Sequence, residues 1–471
     1  MRIRTALAAA VLAGTVSAIN LNIHNEQSIK NAAATAAFNT MANYTGNQTG
    51  QIPGYIKGSW WEGGALFQTM IQYWYFTGDT SNNAAVSQSM YWQRGSGDDF
   101  MPANWSTSLT NSDQMVWGLA AMTAAELGYP QESSMPSWVS LAEGVFDTQT
   151  RRWDNQACNG GLRDAVQSFD NGYDTKTAMA NGGLFQLAAR LARFKNNDHY
   201  YIGWAEKVWD WSEQVSLVDP KSWKIADMIS TLDDCKSISE PQWTYSYGLY
   251  LGGAAYMYNV VSWFIPYSAS NTELDKRTWT GQMLTKTQTG KQTWKTGLDG
   301  LLQTTFDTFF PTAHGGNIMS ETACESEDLC SSSEEIYKGL LASDLLFVSI
   351  LAPYTAKNIT SRLRGSAVAA AKSCTGGNSR TLCGQRWYSS KWNGTATMGD
   401  QMSAVNIFTA NLASYVHVNA PSPISLNATQ SASSNIANTT KSNGAVALVH
   451  GIMSILPLIV AGIITTPQGV V

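Results

Sequence analysis

The residues of this sequence able to carry chemistry are cysteines, histidines, carboxylates and aromatics, and their spacing separates structural from reactive roles. Six cysteines form an even set and five histidines are scattered. No Cys-x-x-Cys or clustered His spacing accompanies them, so neither a metal nor any other cofactor is expected. The cysteines read instead as three disulfides of an oxidising compartment, for which six thiols allow about fifteen connectivities. Proximity favours Cys324 with Cys330 and Cys374 with Cys383, which leaves Cys158 with Cys235.

Carboxylates and aromatics recur together where helices open, as in Trp60-Trp61-Glu62 and Ser112-Asp113-Gln114. Asn111, Ser112 and Asp113 all suit a helix N-cap, and a carboxyl in the same place can equally serve as an acid or base. Trp61, Tyr173, Trp243 and Tyr245 can stack on sugar faces while their polar tips hydrogen-bond, or can be ordinary core. Asn181 and Gln401 can meet sugar hydroxyls or satisfy a loop. Gly63, Gly64, Gly182 and Gly183 suggest close helix packing, because no phosphate fingerprint surrounds them.

Composition agrees with a neutral, hydroxyl-rich ligand. Charged residues are 14% of the chain against roughly 25% in ordinary soluble domains, while 18 Trp and 19 Tyr are present. Such a chain is not disordered. Thirty Lys and Arg against 35 Asp and Glu give a net charge of −5, without a basic run to follow phosphates, which excludes nucleic acid as a partner.

The elements that position these residues are helical. From residue 26 to about 418 apolar residues recur at i, i+3, i+4 and i+7. Six segments are apolar on all faces, opening near Trp60, Ser112, Lys176, Gln242, Glu335 and Gly399. Amphipathic stretches such as Tyr200 to Val215 and Ser361 to Ser373 lie between them. A helix apolar all round must be buried, and one with a polar face can cover it. Six inner helices alternating with six outer ones predict an all-α (α/α)6 toroid over residues 19–420, with the inner openings gathered at one mouth; a solenoid would have shorter, more uniform repeats.

The two ends indicate destination. Residues 1–18 combine Arg2 and Arg4, a short apolar run and Val16-Ser17-Ala18, the pattern of a secretory signal that leaves Ile19 as the first mature residue. Residues 421–444 are rich in Ser, Thr and Asn and read as a stalk. Residues 445–471 hold an apolar tail with no basic residue after it, which favours a glycosylphosphatidylinositol (GPI) signal over a permanent span. Ser433, Ser434, Asn435, Asn443 and Gly444 are candidate attachment residues. Sequons at Asn43, Asn47, Asn104, Asn358, Asn393, Asn427 and Asn438 suit a secreted glycoprotein and predict exposed positions. The expected location is the outer leaflet of the plasma membrane or the cell wall.

Several motifs in one order carry a resemblance to a known family: Trp60-Trp61-Glu62-Gly63-Gly64-Ala65, Asp99-Phe100-Met101-Pro102-Ala103-Asn104, Asn171-Gly172-Tyr173-Asp174-Thr175-Lys176, Gln242-Trp243-Thr244-Tyr245 and Gln401-Met402-Ser403-Ala404. On these the chain resembles glycoside hydrolase family 76, in particular its fungal GPI-anchored endo-α-1,6-mannanase branch. The resemblance implies an (α/α)6 toroid that cleaves α-1,6-mannan, or transfers GPI glycans onto wall polymers with wall glucan as acceptor. It also implies a catalytic pair of consecutive aspartates in an Asn-Asp-Asp-Gln motif, here Asn111-Ser112-Asp113-Gln114. Asp113 matches the family's general acid and base, and Ser112 stands in the place of its nucleophile. A serine without a neighbouring base is a poor nucleophile. Three outcomes follow: another acid, among Asp98, Asp99, Glu62 and Asp174, takes over; a water fills the vacated space and the reaction inverts; or the protein is a catalytically lapsed mannan-binding wall protein.

Overall fold

The computed structural model describes residues 18–57, 59–105, 107–261 and 292–415. The leader, stalk, attachment residues, apolar tail and the sequons at Asn427 and Asn438 lie outside the described residues.

Twelve α-helices are present among the described residues. In chain order they are α1 (Glu26–Ala42), α2 (Trp61–Thr77), α3 (Asn83–Gln93), α4 (Asn111–Leu127), α5 (Trp138–Arg151), α6 (Ala178–Phe194), α7 (His199–Gln214), α8 (Thr244–Val261), α9 (292–309), α10 (Glu334–Leu351), α11 (Ala356–Ser373) and α12 (Met398–Ala410). The even-numbered helices pack in a closed ring, α2 on α4, α4 on α6, and so on through α12 back onto α2. The odd-numbered helices cover it: α1 lies on α12, α5 on α4, α7 on α6 and α11 on α10, while Trp294 of α9 stacks on Phe185 of α6. This is the expected (α/α)6 toroid, and each of the six expected openings is an inner one.

Sequence explains the two layers. Along α4 and α12 nearly every residue is buried, whereas in α11 only Ile359, Leu363, Ser366 and the residues continuing that stripe are. Small residues bring the ring together. A Cβ on Gly182 would lie 2.7 Å from the Tyr250 ring, and one on Gly339 would lie 2.6 Å from the Ser403 backbone, so a larger residue at either place forces neighbouring helices apart. The glycines in the inner openings therefore serve packing.

A short two-stranded sheet departs from the helical expectation. Lys176 sits in β1 (Thr175–Thr177), which pairs antiparallel with β2 (Met228–Ser230), and α6 begins two residues later with Thr177 as its N-cap. Its buried ammonium donates to the carbonyls of Asp154 and Ala157 and pairs with the Asp154 carboxylate at 3.3 Å, which pins the loop carrying Cys158. The three disulfides are Cys158–Cys235, Cys324–Cys330 and Cys374–Cys383, as proximity suggested. Asn43, Asn47, Asn104 and Asn358 are exposed; Asn393 is half-buried, its amide donating to Thr395 at 2.9 Å.

A buried charge pair joins two adjacent inner helices. Arg190 of α6 meets Glu126 of α4 at 2.7 Å, and the Tyr256 hydroxyl of α8 donates to the same carboxylate at 2.8 Å. Removing one partner of such a pair strands the other charge in a low dielectric, at a cost of about 3–5 kcal/mol. Arg190→Met should lower the unfolding free energy by about that amount in urea titration, and adding Glu126→Leu should recover most of it. A single variant within about 1 kcal/mol of the parent would show that the pair does not hold these helices together.

Candidate active site

The opening of α4 is built by a capping box. The Thr110 hydroxyl accepts from the Asp113 N–H at 2.9 Å, and the Asp113 carboxylate accepts from the Thr110 N–H at 3.4 Å. Asp113 therefore caps the helix and also lines a cleft of about 410 Å³, together with Trp60, Trp61 and Glu62 of the α2 opening, Trp105, and Ser332 and Ser333 before α10. Its side chain is partly open to this cleft but densely surrounded. Burial, reinforced by the Asp164 carboxylate, pushes its pKa up to about 6 against the lowering influence of the Thr110 hydrogen bonds. A carboxyl with that pKa holds a proton it can give up near neutral pH, the property required of a general acid.

Ser112 points to a carboxylate that no sequence motif indicated. Its hydroxyl donates to Asp164 Oδ1 at 2.9 Å and lies 3.0 Å from the Thr110 hydroxyl. Asp164 is fixed on both sides: its N–H donates to the Thr175 carbonyl at 2.9 Å, its own carbonyl accepts from the Asn111 N–H at 2.8 Å, and Thr177 of the α6 cap donates to Oδ1 at 3.1 Å. Burial raises its pKa, while the Ser112 and Thr177 hydroxyls lower it. Gly172, at φ +92°, closes the other side, where a Cβ would lie 3.1 Å from Oδ2.

The aromatic wall centres on Tyr337 of α10. Trp61 lies 6.1 Å from its ring, Trp243 5.9 Å and Tyr245 5.7 Å. Its hydroxyl reaches Met179 of α6 at 3.8 Å. Trp61 and Trp243 are partly exposed, and the Trp243 side chain hydrogen-bonds to Asp227. Tyr245 is buried behind Tyr337 and has no open face for a sugar. Thus α2, α6, α8 and α10 meet at one ring.

The remaining expected site residues lie elsewhere. Tyr173 lines a separate pocket of about 580 Å³ with Arg152 and Arg163, and the Arg163 guanidinium covers its ring at 4.3 Å. Asn181 is fully buried; its amide donates to the carbonyls of Leu162 and Thr177 and its oxygen accepts from the Leu162 N–H. Gln401 is likewise buried and pairs both ends of its amide with the Cys383 backbone. Both amides hold loops, which leaves neither for a ligand.

Among the four carboxylates expected as replacements, Glu62 lines the cleft with Asp113. Burial raises its pKa, and Ser332 and Ser333 hydrogen-bond it at 3.4 Å from the α10 side. Asp98 is paired with Arg94 at 2.8 Å, Asp99 accepts from Thr148 at 3.0 Å, and Asp174 is exposed 3.9 Å from Arg163. None of these three lines the Asp113 cleft.

Comparison with known proteins supports one family. The family model for glycosyl hydrolase family 76 matches residues 28–263 and 280–424. The chain is 37% identical over 396 residues to mannan endo-1,6-alpha-mannosidase DCW1 of Saccharomyces cerevisiae, covering 83% of this chain and 80% of that protein. It is 32% identical over 403 residues to mannan endo-1,6-alpha-mannosidase DFG5 of Candida albicans, covering 84% and 82%. Among solved structures, Dfg5 from Chaetomium thermophilum in complex with glucosamine superposes with a TM-score of 0.75 at 33% identity, over 84% of this chain and 93% of that one. The α-1,6-mannanase of a Salegentibacter species, in an inactive form bound to α-1,6-mannotriose, shares the fold with a TM-score of 0.59 at 16% identity, over 82% and 99%. The matched residues span both halves of the helical ring and include the Asp113 cleft, so the chain belongs to glycosyl hydrolase family 76.

Proposed function

We propose that this protein acts on α-1,6-linked mannan or the mannose chains of GPI glycans at the cell surface, cleaving or transferring them, with Asp113 as the general acid. The observation that carries this reading is the Asp113 carboxyl, which opens into the 410 Å³ cleft with its pKa pushed up to about 6. The relatives named as mannan endo-1,6-alpha-mannosidases support the substrate class. Trp61 beside the acid offers an apolar ring for a sugar face, and Trp243 extends that wall across Tyr337.

The chemistry runs from these positions. Mannose rings lie against Trp61, and the glycosidic oxygen approaches Asp113, which protonates it as the bond to the anomeric carbon breaks. Charge developing on the sugar ring faces the carboxylates around the mouth, Glu62 among them. Secretion, a 421–444 stalk and a GPI anchor complete the proposal, with wall glucan as an acceptor; three disulfides and four exposed sequons support the secretory route.

Incubation of the protein with α-1,6-mannan oligosaccharides, followed by mass spectrometry, tests this reading. Asp113→Asn should lower kcat/KM by about 10²–10⁴-fold while the fold is kept. Mannan binding without cleavage or transfer, unaffected by Asp113→Asn, would identify a lapsed binding protein instead.

The sign of the pH effect follows from the raised pKa. Asp113 carries its proton below about 6 and loses it above, so kcat/KM should fall about tenfold per pH unit on the alkaline side. A rate that stays level from about pH 6 to pH 8 would remove Asp113 from the acid role. Trp61→Ala should raise KM severalfold with little change in kcat, as expected for about 1 kcal/mol of ring contact.

A further inference from the structure

An outer helix turns one face to water, and that face ordinarily carries charged side chains among its polar ones. Five of the six outer helices each hold at least two charged residues, as Glu26 and Lys30 do in α1 and Arg362 and Arg364 in α11. In α3 (Asn83–Gln93) no residue is charged. Its outward stripe is Ala84, Gln88 and Trp92, spaced four apart, and all three are exposed. Trp92 is 61% exposed and is the one exposed tryptophan among the described residues.

We propose that the outward face of α3 is a second glycan-binding site, on which one stretch of an α-1,6-mannan chain rests while another stretch occupies the Asp113 cleft. The identity of the chain rests on the mannan reading above. The face forms a groove: Trp92, Gln88, Ser87 and Asn83 line a cavity of about 500 Å³, bounded by Glu132 and Met135 of the segment before α5. Its floor is rigid, because the buried Tyr91 ring stacks on Trp138 of α5 at 4.4 Å and the Tyr129 hydroxyl donates to the Asn83 carbonyl at 3.2 Å. A site held in place before its ligand arrives loses less entropy on binding.

The groups offered by this groove fit a neutral pyranose chain. Arg94, at one end, is occupied by Asp98 at 2.8 Å, which leaves amides, a hydroxyl, the Glu132 carboxylate and an indole. A sugar ring lays its C–H face on an indole, while the indole N–H and flanking amides hydrogen-bond hydroxyls at the edge of the ring. Dehydrating amides and hydroxyls costs far less than dehydrating charges, so an uncharged stripe gives up its water readily to such a ligand. The stripe from Ala84 to Trp92 is about 12 Å long, room for about two sugar rings. A folded protein fits less well. The helix presents about 16 Å by 10 Å, on the order of 160 Å², far below the ~800 Å² per partner of a standard protein interface.

Groove and cleft are joined through one turn of helix. Gln93, next to Trp92, accepts from Nε1 of the cleft residue Trp60 at 2.8 Å and donates to the Pro53 carbonyl at 2.6 Å. The end of α3 that carries Trp92 is thereby fixed to the cleft wall, and the groove runs from there along the helix toward Asn83. A polymer held at both places gains avidity, because its second contact is intramolecular. A short oligosaccharide that fills the cleft has no length left for the groove. The site therefore favours long chains without touching the reacting atoms.

The test compares polymeric α-1,6-mannan with α-1,6-mannotriose. Trp92→Ala should lower the ratio of kcat/KM on the polymer to that on the trisaccharide by about three- to tenfold, through KM, and Gln88→Ala should lower it less. Binding is read separately by electrophoresis through a gel containing α-1,6-mannan, with Asp113→Asn in every protein to keep the polymer intact. The Asp113→Asn protein should be retarded, and addition of Trp92→Ala should relieve part of that retardation. A Trp92→Ala ratio within about twofold of the parent, or retardation unchanged by Trp92→Ala, overturns the inference and leaves the mannan reading intact. Retardation that Trp92→Ala relieves, in a protein whose unaltered form cleaves and transfers no mannan, supports the groove and overturns the activity alone. Retardation by β-1,3-glucan in place of mannan, relieved by Trp92→Ala, would overturn mannan as the occupant. A dimer in sedimentation velocity that Trp92→Ala dissociates would put a second copy of the chain on this face and overturn the inference.

Discussion

A helix that is apolar on every face has no side to turn toward water, and six such helices in this chain can be covered only by closing on one another inside a second layer. That closure fixes the rest of the structure. It places the inner openings at one mouth, and four of the six inner helices carry an acidic residue in the first turn: Glu62 in α2, Asp113 in α4, Glu334 and Glu335 in α10, and Asp400 in α12. Helix N-termini favour such charges by roughly 0.3–1 kcal/mol each. Burial acts against them more strongly. Moving an aspartate from its ordinary range to about 6, as at Asp113, corresponds to roughly 3 kcal/mol. The ring thus attracts carboxylates to its mouth and then denies them water, which makes proton donors of groups that would be ionised on an open surface.

The same balance recurs across the mouth. Thr397 and Asp400 form a capping box at the start of α12 like that of Thr110 and Asp113, and burial with the nearby Glu335 pushes Asp400 up to about 8. The two boxes share local geometry and differ in access: Asp113 opens into the cleft, whereas Asp400 is 1% exposed. Capping and chemistry are therefore not rival explanations of a first-turn aspartate. Capping fixes the carboxyl, and exposure to the cleft decides whether a substrate can reach it.

What was legible in the sequence follows the range of the interactions. Inner helices are written as unbroken apolar faces and outer ones as stripes, both local patterns, so all six openings could be read. Cysteines six and nine residues apart pair because they are close in the chain, and the third pair follows by elimination. For Asn181 and Gln401 a sugar-binding role and a loop role stood open together, because an amide that binds backbone carbonyls is the same residue as one that binds hydroxyls. Tyr245 and Trp243 are two residues apart, and only the direction each takes from the start of α8 separates a buried ring from a partly open one. Asp164 lies 52 residues from Ser112 in a loop without periodicity, and its partnership depends on β1 and the Thr177 cap holding that loop against α4.

That long-range contact changes the meaning of the serine at 112. Read along the chain, Ser112 is a missing charge. In the folded ring its hydroxyl donates to Asp164 and lies 3.0 Å from the Thr110 hydroxyl that caps α4 with Asp113. An aspartate at 112 would bring a third carboxyl into contact with Asp164, and like charges at hydrogen-bond distance in a low dielectric cannot all ionise. The serine hydroxyl avoids that conflict while stabilising the ionised form of Asp164, which it is positioned to do as a donor. Ser112 and Asp164 are thus best understood as one unit. The serine hydroxyl lowers the pKa of Asp164 against its burial, and at Asp113 burial first and the Asp164 carboxylate second raise the pKa.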